Sequence, residues 1–126
     1  MKRRVLLTAL MTVPLLPRFV TPVAAQQLTA AEIEDVLAGN TIDGSWGTDD
    51  YLQYFAEDGT TIYVPDDGQR AEGRWRVDPE TGVYESWWIS TGWTPYVVVD
   101  VPDGDYAWLN GDRVETFTVK EGRQIE

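Results

Sequence analysis

From residue 40 onward, apolar and polar residues alternate with a period of two, and dipeptides typical of tight turns interrupt the alternation. Asp-Gly and Asn-Gly pairs accept the positive φ angles of hairpin turns. These pairs are Asp43-Gly44, Asp58-Gly59, Asp67-Gly68, Asp103-Gly104 and Asn110-Gly111. The segments between them predict strands near 41–46, 50–56, 60–64, 69–77, 83–90, 95–101, 105–109 and 113–119. The sequence therefore predicts an all-β antiparallel meander, which closes as a barrel of about eight strands or folds as a two-layer sandwich.

One short helix is predicted before the strands. Thr29 and Glu32 have the Thr-x-x-Glu spacing of a capping box, and Leu28 can pack on Ile33 across it. Gly39 is a typical helix stop. We expect a helix near residues 30–38 that packs one apolar face on the sheet.

Residues 1–25 have the composition of a signal peptide. A basic segment at residues 2–4 precedes an apolar run over residues 5–17, and residues 22–25 supply small side chains for cleavage. The run is shorter than the roughly 20 residues of a spanning helix and contains two prolines. We expect a single periplasmic or secreted domain over residues 26–126, with no membrane attachment after cleavage.

The charge of the chain narrows its partners. The chain has 10 basic and 21 acidic residues, a formal charge of −11. Four basic residues and no acidic ones lie in residues 1–25, so residues 26–126 hold six basic and 21 acidic residues and carry −15. Nucleic acids and anionic membranes bind clustered Lys and Arg, so neither is an expected partner. A cationic protein or a small ligand fits better.

Residues 75–93 contain four tryptophans and one tyrosine. A turn at residues 78–81 would form a hairpin in which Trp75 faces Tyr84 and Arg74 faces Glu85. A shift by one residue would place Glu85 beside Trp75 and bury its carboxylate. The favoured register gives the hairpin a core face and an outer face. The core face holds Trp75, Tyr84 and Trp88, and the outer face holds Arg74, Arg76, Glu85 and Trp87.

The chain lacks the residues that most catalytic mechanisms use. The chain has no histidine and no cysteine, which excludes a Ser-His triad, a thiol nucleophile and the usual zinc and haem sites. A glycosidase-type carboxylate pair would use Glu85, whose pKa burial would raise. An ion pair with Arg74 is the favoured alternative for Glu85. Residues 66–68 and 103–105 do not match a calcium loop, so no metal or cofactor is expected.

Two kinds of binding site are compatible with this pattern. Trp87, Arg74, Glu85 and Trp93 would form an exposed aromatic patch for a sugar, a peptide or a partner protein. An eight-stranded barrel also has room for side chains or for one small ligand. The large inward rings would tend to fill that room.

A set of short motifs resembles a known group of proteins. The motifs are Gly39-Asn40-Thr41, Tyr54-Phe55, Asp58-Gly59-Thr60, Gly73-Arg74-Trp75-Arg76-Val77 and Trp87-Trp88. They resemble small exported proteobacterial proteins of unknown function over most of residues 28–119. The resemblance implies a periplasmic β domain. Cysteines are common in that group near two positions that are Glu85 and Pro95 here, so a disulfide is not expected.

Three functions follow from these observations. The first is a non-enzymatic periplasmic binding or interaction domain, including an inhibitor-like module that presents acidic loops to a cationic hydrolase. The second is a carrier of a small apolar ligand in a lipocalin-like barrel. The third is a carbohydrate-active enzyme that uses Glu85. A large cavity would favour the carrier, and a filled barrel with an exposed Trp87 would favour an interaction surface.

Overall fold

Eight antiparallel strands form a closed barrel in the computed structural model, which describes residues 26–102 and 105–126. The predicted signal peptide and the Asp103-Gly104 turn lie outside these residues. The elements in chain order are β1 (Gln26–Gln27), α1 (Ala30–Leu37), β2 (Thr41–Trp46), β3 (Asp49–Phe55), β4 (Thr60–Pro65), β5 (Ala71–Val77), β6 (Tyr84–Trp88), β7 (Gly92–Asp100), β8 (Tyr106–Asn110) and β9 (Arg113–Lys120). The predicted all-β barrel is confirmed, and the sandwich alternative is not adopted.

The barrel closes because β9 pairs with both β8 and β2. Strand β7 is long enough to pair with β6 through its first half and with β8 through its second half. The short strand β1 pairs with the end of β7 at Val99 and Asp100. Strand β1 thereby covers the part of the β7 edge that β6 does not reach. This protects the backbone groups of β7 from unwanted pairing.

The predicted helix covers one end of the barrel. The capping box is present: the Thr29 hydroxyl accepts from the Glu32 amide at 3.2 Å, and the Thr29 amide donates to Glu32 Oε1 at 2.9 Å. Leu28, Ile33 and Leu37 are buried in the core. The helix lies at the end that contains the β3–β4 and β5–β6 connections, which we call the closed end. The opposite end, with the β2–β3, β4–β5, β6–β7 and β8–β9 connections, is the open end.

Two of the predicted turns are wrong. Asp43-Gly44 lies within β2, and the β2–β3 turn is formed by Gly47 and Thr48. Gly44 is required for space, because a Cβ there would lie 2.9 Å from Phe117 Cβ and 3.0 Å from Tyr51 Oη. Asp58-Gly59 and Asp67-Gly68 lie in the β3–β4 and β4–β5 connections, as predicted. At the β8–β9 turn the prediction is wrong by one residue, because Asn110 ends β8 and the turn is formed by Gly111 and Asp112.

The predicted register of the β5–β6 hairpin is wrong by two residues. Trp75 pairs with Ser86 instead of Tyr84, and Arg76 rather than Arg74 pairs with Glu85. The connection is longer than predicted and spans residues 78–83. The Asp78 amide donates to the Val83 carbonyl across its base. A shift of two residues keeps every side chain on its face. The core face and the outer face are therefore as predicted.

The core is mainly aromatic. Trp75 packs edge-on against Phe55 with ring centroids 5.5 Å apart, and it stacks on Tyr84 at 6.4 Å. Its indole N–H donates to the Ala56 carbonyl at 2.9 Å. Large buried rings supply most of the apolar area that a small domain needs. Within the two described ranges, no helix has both the length and the apolar character needed to cross a membrane.

Candidate functional site

A cavity of about 300 Å³ enters the barrel from its open end. We call it the barrel cavity. Exposed Ile89 and Ser90, in the β6–β7 connection, stand at its mouth. Seven aromatic side chains line it, namely Trp46, Tyr51, Tyr63, Tyr84, Trp88, Tyr96 and Trp108. The expectation that inward rings fill the barrel is therefore wrong for its open half.

The aromatic lining is continuous. Trp46 packs edge-on against Tyr96 with centroids 5.6 Å apart, and Tyr96 meets Trp108 at 6.2 Å. The Trp108 indole N–H donates to Tyr51 Oη at 3.0 Å. Tyr51 then packs on Tyr63 at 5.0 Å, and Tyr63 lies edge-on to Trp88 at 6.1 Å. These contacts hold the six rings in place around the cavity, which makes it a preformed site.

Trp88 keeps its place in the wall because Gly73 has no side chain. Gly73 is buried in β5, and a Cβ on it would lie 2.7 Å from Cε3 of the Trp88 ring. The indole therefore lies directly over the β5 backbone. In this position the indole forms part of the wall of the barrel cavity.

Polar groups lie among the rings in the inner part of the cavity. Gln53 and Ser86 are both buried. The Gln53 side-chain amide donates to Thr61 Oγ1 at 2.8 Å, and Ser86 Oγ accepts from the Trp88 indole N–H at 3.1 Å. A ligand would therefore meet an apolar wall with a few fixed polar groups, which is the usual composition of a small-molecule site.

Burial changes the acidity of the tyrosines in the lining. It raises the pKa of Tyr51 and of Tyr84 well above the ordinary value of 10.0. Hydrogen bonding opposes the shift, from Trp108 to Tyr51 and from Ser86 and Gln53 to Tyr84. Burial also raises the pKa of Tyr63 and Tyr96. All four phenols are neutral at neutral pH.

These shifts predict loss of stability in alkali. Tyr51 and Tyr84 ionise near pH 10 only in the unfolded chain, so their contribution to stability is fully present below about pH 10 and is lost as the pH rises above it. Each buried phenol should lower the free energy of unfolding by about 1.4 kcal/mol per pH unit. Urea unfolding between pH 9 and about pH 11 measures the slope. A Tyr51→Phe variant should reduce it, and equal slopes in the two proteins would contradict the assignment.

The structure brings the four residues of the predicted surface patch together on the outer face. Arg74 pairs with Trp87 across β5 and β6, and Trp87 pairs with Trp93 across β6 and β7. The Arg76 guanidinium, predicted on the outer face but not as part of the patch, lies 3.7 Å above the Trp93 ring and donates to Glu85 Oε1 at 2.8 Å. Trp93 is 40% exposed. The outer patch is therefore partly covered by its own arginine.

Glu85 does not line the barrel cavity. Its ion pair with Arg76 holds it on the outer surface. Its predicted partner was Arg74, whose guanidinium instead donates to the Asp58 carbonyl at 3.2 Å. Within residues 26–102 and 105–126, no group of three or more acidic side chains has the geometry of a metal site.

Glu115 is a buried acid that sequence reasoning missed. It faces inward from β9 and is 6% exposed. Its Oε1 accepts from the Gly47 amide at 3.1 Å, and Oε2 lies 2.8 Å from Arg113 Nη2, an ion-pair distance without hydrogen-bond geometry. Glu115 thus joins the β2–β3 turn to β9 at the open end.

A second depression is larger but less suited to a small ligand. It has a volume of about 440 Å³ and lies between β1, α1 and Asp100. Most of its lining side chains are exposed and polar, including Gln26, Glu32 and Asp35. A site open to water on most sides buries little of a ligand.

The sequence indicates where three of the cavity's rings lie but not that they leave a cavity. The rings of Tyr51, Tyr63 and Trp88 occupy inward positions of their strands toward the same end of the meander. Aromatic residues gathered at one end of a barrel can form either a plug or a wall. Their spacing along the strands does not decide between the two.

No protein-family model matches the chain, and no curated protein or solved structure matches it either.

Proposed function

We propose that this chain is a non-enzymatic exported binding domain that holds one small, largely apolar ligand in the barrel cavity. The observation that carries the proposal is the preformed cavity of about 300 Å³ with seven aromatic side chains in its lining. This volume is at the lower end of the roughly 300–1,000 Å³ typical of small-molecule pockets. The periplasmic or secreted location is part of the proposal and rests on residues 1–25.

The barrel cavity supports a carrier better than the outer patch supports an inhibitor-like module. The rings of the cavity are fixed by one another and enclose a volume. On the outer patch, Arg76 covers a face of Trp93 and neutralises Glu85. Protein interfaces are anchored by aromatic side chains that insert into a partner, and Trp93 is less available for this because of the stacked guanidinium.

Nuclear magnetic resonance with neutral probes tests the proposal. Each tryptophan gives one indole N–H signal, so the six tryptophans report separately. Addition of p-cresol, cyclohexanol or 1-naphthol should shift the signals of Trp88 and Trp108 in a saturable manner. The signals of Trp87 and Trp93, on the outer face, should stay in place. Shifts confined to Trp87 and Trp93 would contradict the proposal and favour an interaction surface.

A blocking substitution identifies the cavity as the site. Ala71 is exposed at the rim and lines the cavity, so Ala71→Trp should obstruct the mouth without disturbing the core. Affinity for the best probe should fall by about tenfold or more, equivalent to about 1.4 kcal/mol. Thr116→Trp, at an exposed position of β9 away from the cavity, is the matched control. Equal affinities in both variants would place the ligand elsewhere.

A further inference from the structure

The mouth of the barrel cavity has the geometry of an aromatic box. Trp46 and Tyr96 meet at an interplanar angle of 85°, and Tyr63 and Trp88 meet at 71°. Rings at right angles form the corners of a box, so a compact group between them contacts more than one ring. The face of an aromatic ring carries partial negative charge and attracts a cation.

The charges around the cavity have one prevailing sign. Among the described residues that line it, none is Lys or Arg, and the charged one is Glu72 at the rim. Burial is the main cause of the raised pKa of Tyr51 and Tyr63. Nearby carboxylates raise the pKa further: Asp49 acts on Tyr63, and Glu115 and Asp43 act on Tyr51. Arg113 offsets part of the Glu115 charge. The excess of acidic over basic residues in the whole chain has the same sign.

This setting separates three classes of ligand. An anion would lose its hydration without gaining a cationic partner in the lining. A neutral molecule would gain from burial of its apolar surface but not from the attraction of a cation to the ring faces. A methylated ammonium group would bury its methyl groups and also be attracted by the rings, which is worth about 2-fold to 30-fold in affinity for each contact.

We infer that the barrel cavity selects a small organic cation, a molecule with a methylated ammonium group, over a neutral molecule of the same shape. The inference rests on the proposed function and adds the charge of the ligand to it. The buried Gln53 and Ser86 give such a ligand hydrogen-bonding groups for a hydroxyl at its other end.

A pair of isosteric probes tests this inference directly. Choline and 3,3-dimethylbutan-1-ol have the same shape, but the first has a quaternary nitrogen where the second has a carbon. Titration calorimetry in about 0.15 M sodium chloride suppresses diffuse attraction to the acidic surface. Choline should bind the protein about tenfold tighter than the alcohol. Equal binding, or tighter binding of the alcohol, would overturn the inference.

A variant pair shows whether the rings cause the preference. Tyr63→Leu keeps an apolar side chain in the box but removes one ring face, so choline should bind about fivefold to tenfold more weakly. Binding of the neutral alcohol should change by less than about twofold. Tyr54→Leu is the matched control, because Tyr54 lies on the outer face of β3. An equal loss for both probes in Tyr63→Leu would show that shape alone decides.

The failure of this inference is distinguishable from failure of the proposed function. If p-cresol or cyclohexanol binds in the cavity and choline does not, the inference is wrong while the binding function stands. If neither choline nor any neutral probe binds, both are wrong. Thermal melting of each variant separates loss of binding from loss of the fold.

Discussion

Replacement of Trp75 by alanine is expected to unfold the protein at room temperature or to leave it with a small part of its stability. Trp75 is 8% exposed, and it packs against both Phe55 and Tyr84. The substitution also leaves the Ala56 carbonyl without its indole donor. Truncation of a buried tryptophan costs about 3–5 kcal/mol, whereas a domain has about 5–15 kcal/mol in total. Urea unfolding followed by near-ultraviolet circular dichroism measures the loss.

Trp87→Ala is the matched control for Trp75→Ala. Trp87 is only half-buried and lies on the outer face opposite Arg74. Its truncation should cost about 1 kcal/mol, the centre of the distribution for point substitutions. If Trp75→Ala costs no more than Trp87→Ala, the assignment of Trp75 to the centre of the core is wrong.

The architecture was predictable from sequence because alternation and turns act locally. Every segment of the chain from 41 to 119 that was predicted as a strand overlaps an observed one, with ends that differ by up to three residues. The Thr29 and Glu32 capping box also depends only on residues three apart. Strand β1 was not predicted, because two glutamines carry no alternation and pair only with the last two residues of β7.

The hairpin register was not predictable from the turn residues alone. A turn of four residues and a connection of six residues both suit the Asp78-Pro79-Glu80-Thr81 segment. The longer one is adopted, with Gly82 at a φ of 73° and its amide donating to the Asp78 carbonyl at 2.9 Å. The faces were still predicted correctly, because they follow from keeping charged side chains out of the core. That condition excludes register shifts by an odd number of residues but allows shifts by an even number.

The candidate sites differ in how far the sequence reaches them. The outer patch could be assembled from sequence because its residues follow one another across adjacent strands. The volume of the barrel cavity depends on the side-chain conformation of each ring, which decides how far the ring extends from the strand into the barrel. These conformations are set by contacts between distant strands, such as the hydrogen bond from Trp108 to Tyr51. Alternation gives the face of a side chain but not the volume that the side chains leave between them.

Replacement of Gly73 by alanine is expected to be among the most damaging single substitutions, although it adds one methyl group. The new Cβ would collide with the Trp87 carbonyl oxygen and would lie 2.7 Å and 2.9 Å from two atoms of the Trp88 ring. The carbonyl belongs to the paired strand β6 and cannot move without separating β5 from β6. Overpacking of this kind costs about 1–3 kcal/mol or more. Lost hydrogen bonds between the strands add about 1 kcal/mol each, so we expect about 4 kcal/mol.

Gly111→Ala separates this steric requirement from an ordinary turn requirement. Gly111 has a φ of 65°, and a Cβ there would meet no atom within 4 Å. Alanine at Gly111 should therefore cost only the left-handed backbone strain, about 1–2 kcal/mol. Urea unfolding of both variants gives the comparison. If Gly73→Ala folds as stably as Gly111→Ala, the Trp88 ring does not lie against β5. The wall of the barrel cavity would then be differently placed, because that ring is part of it.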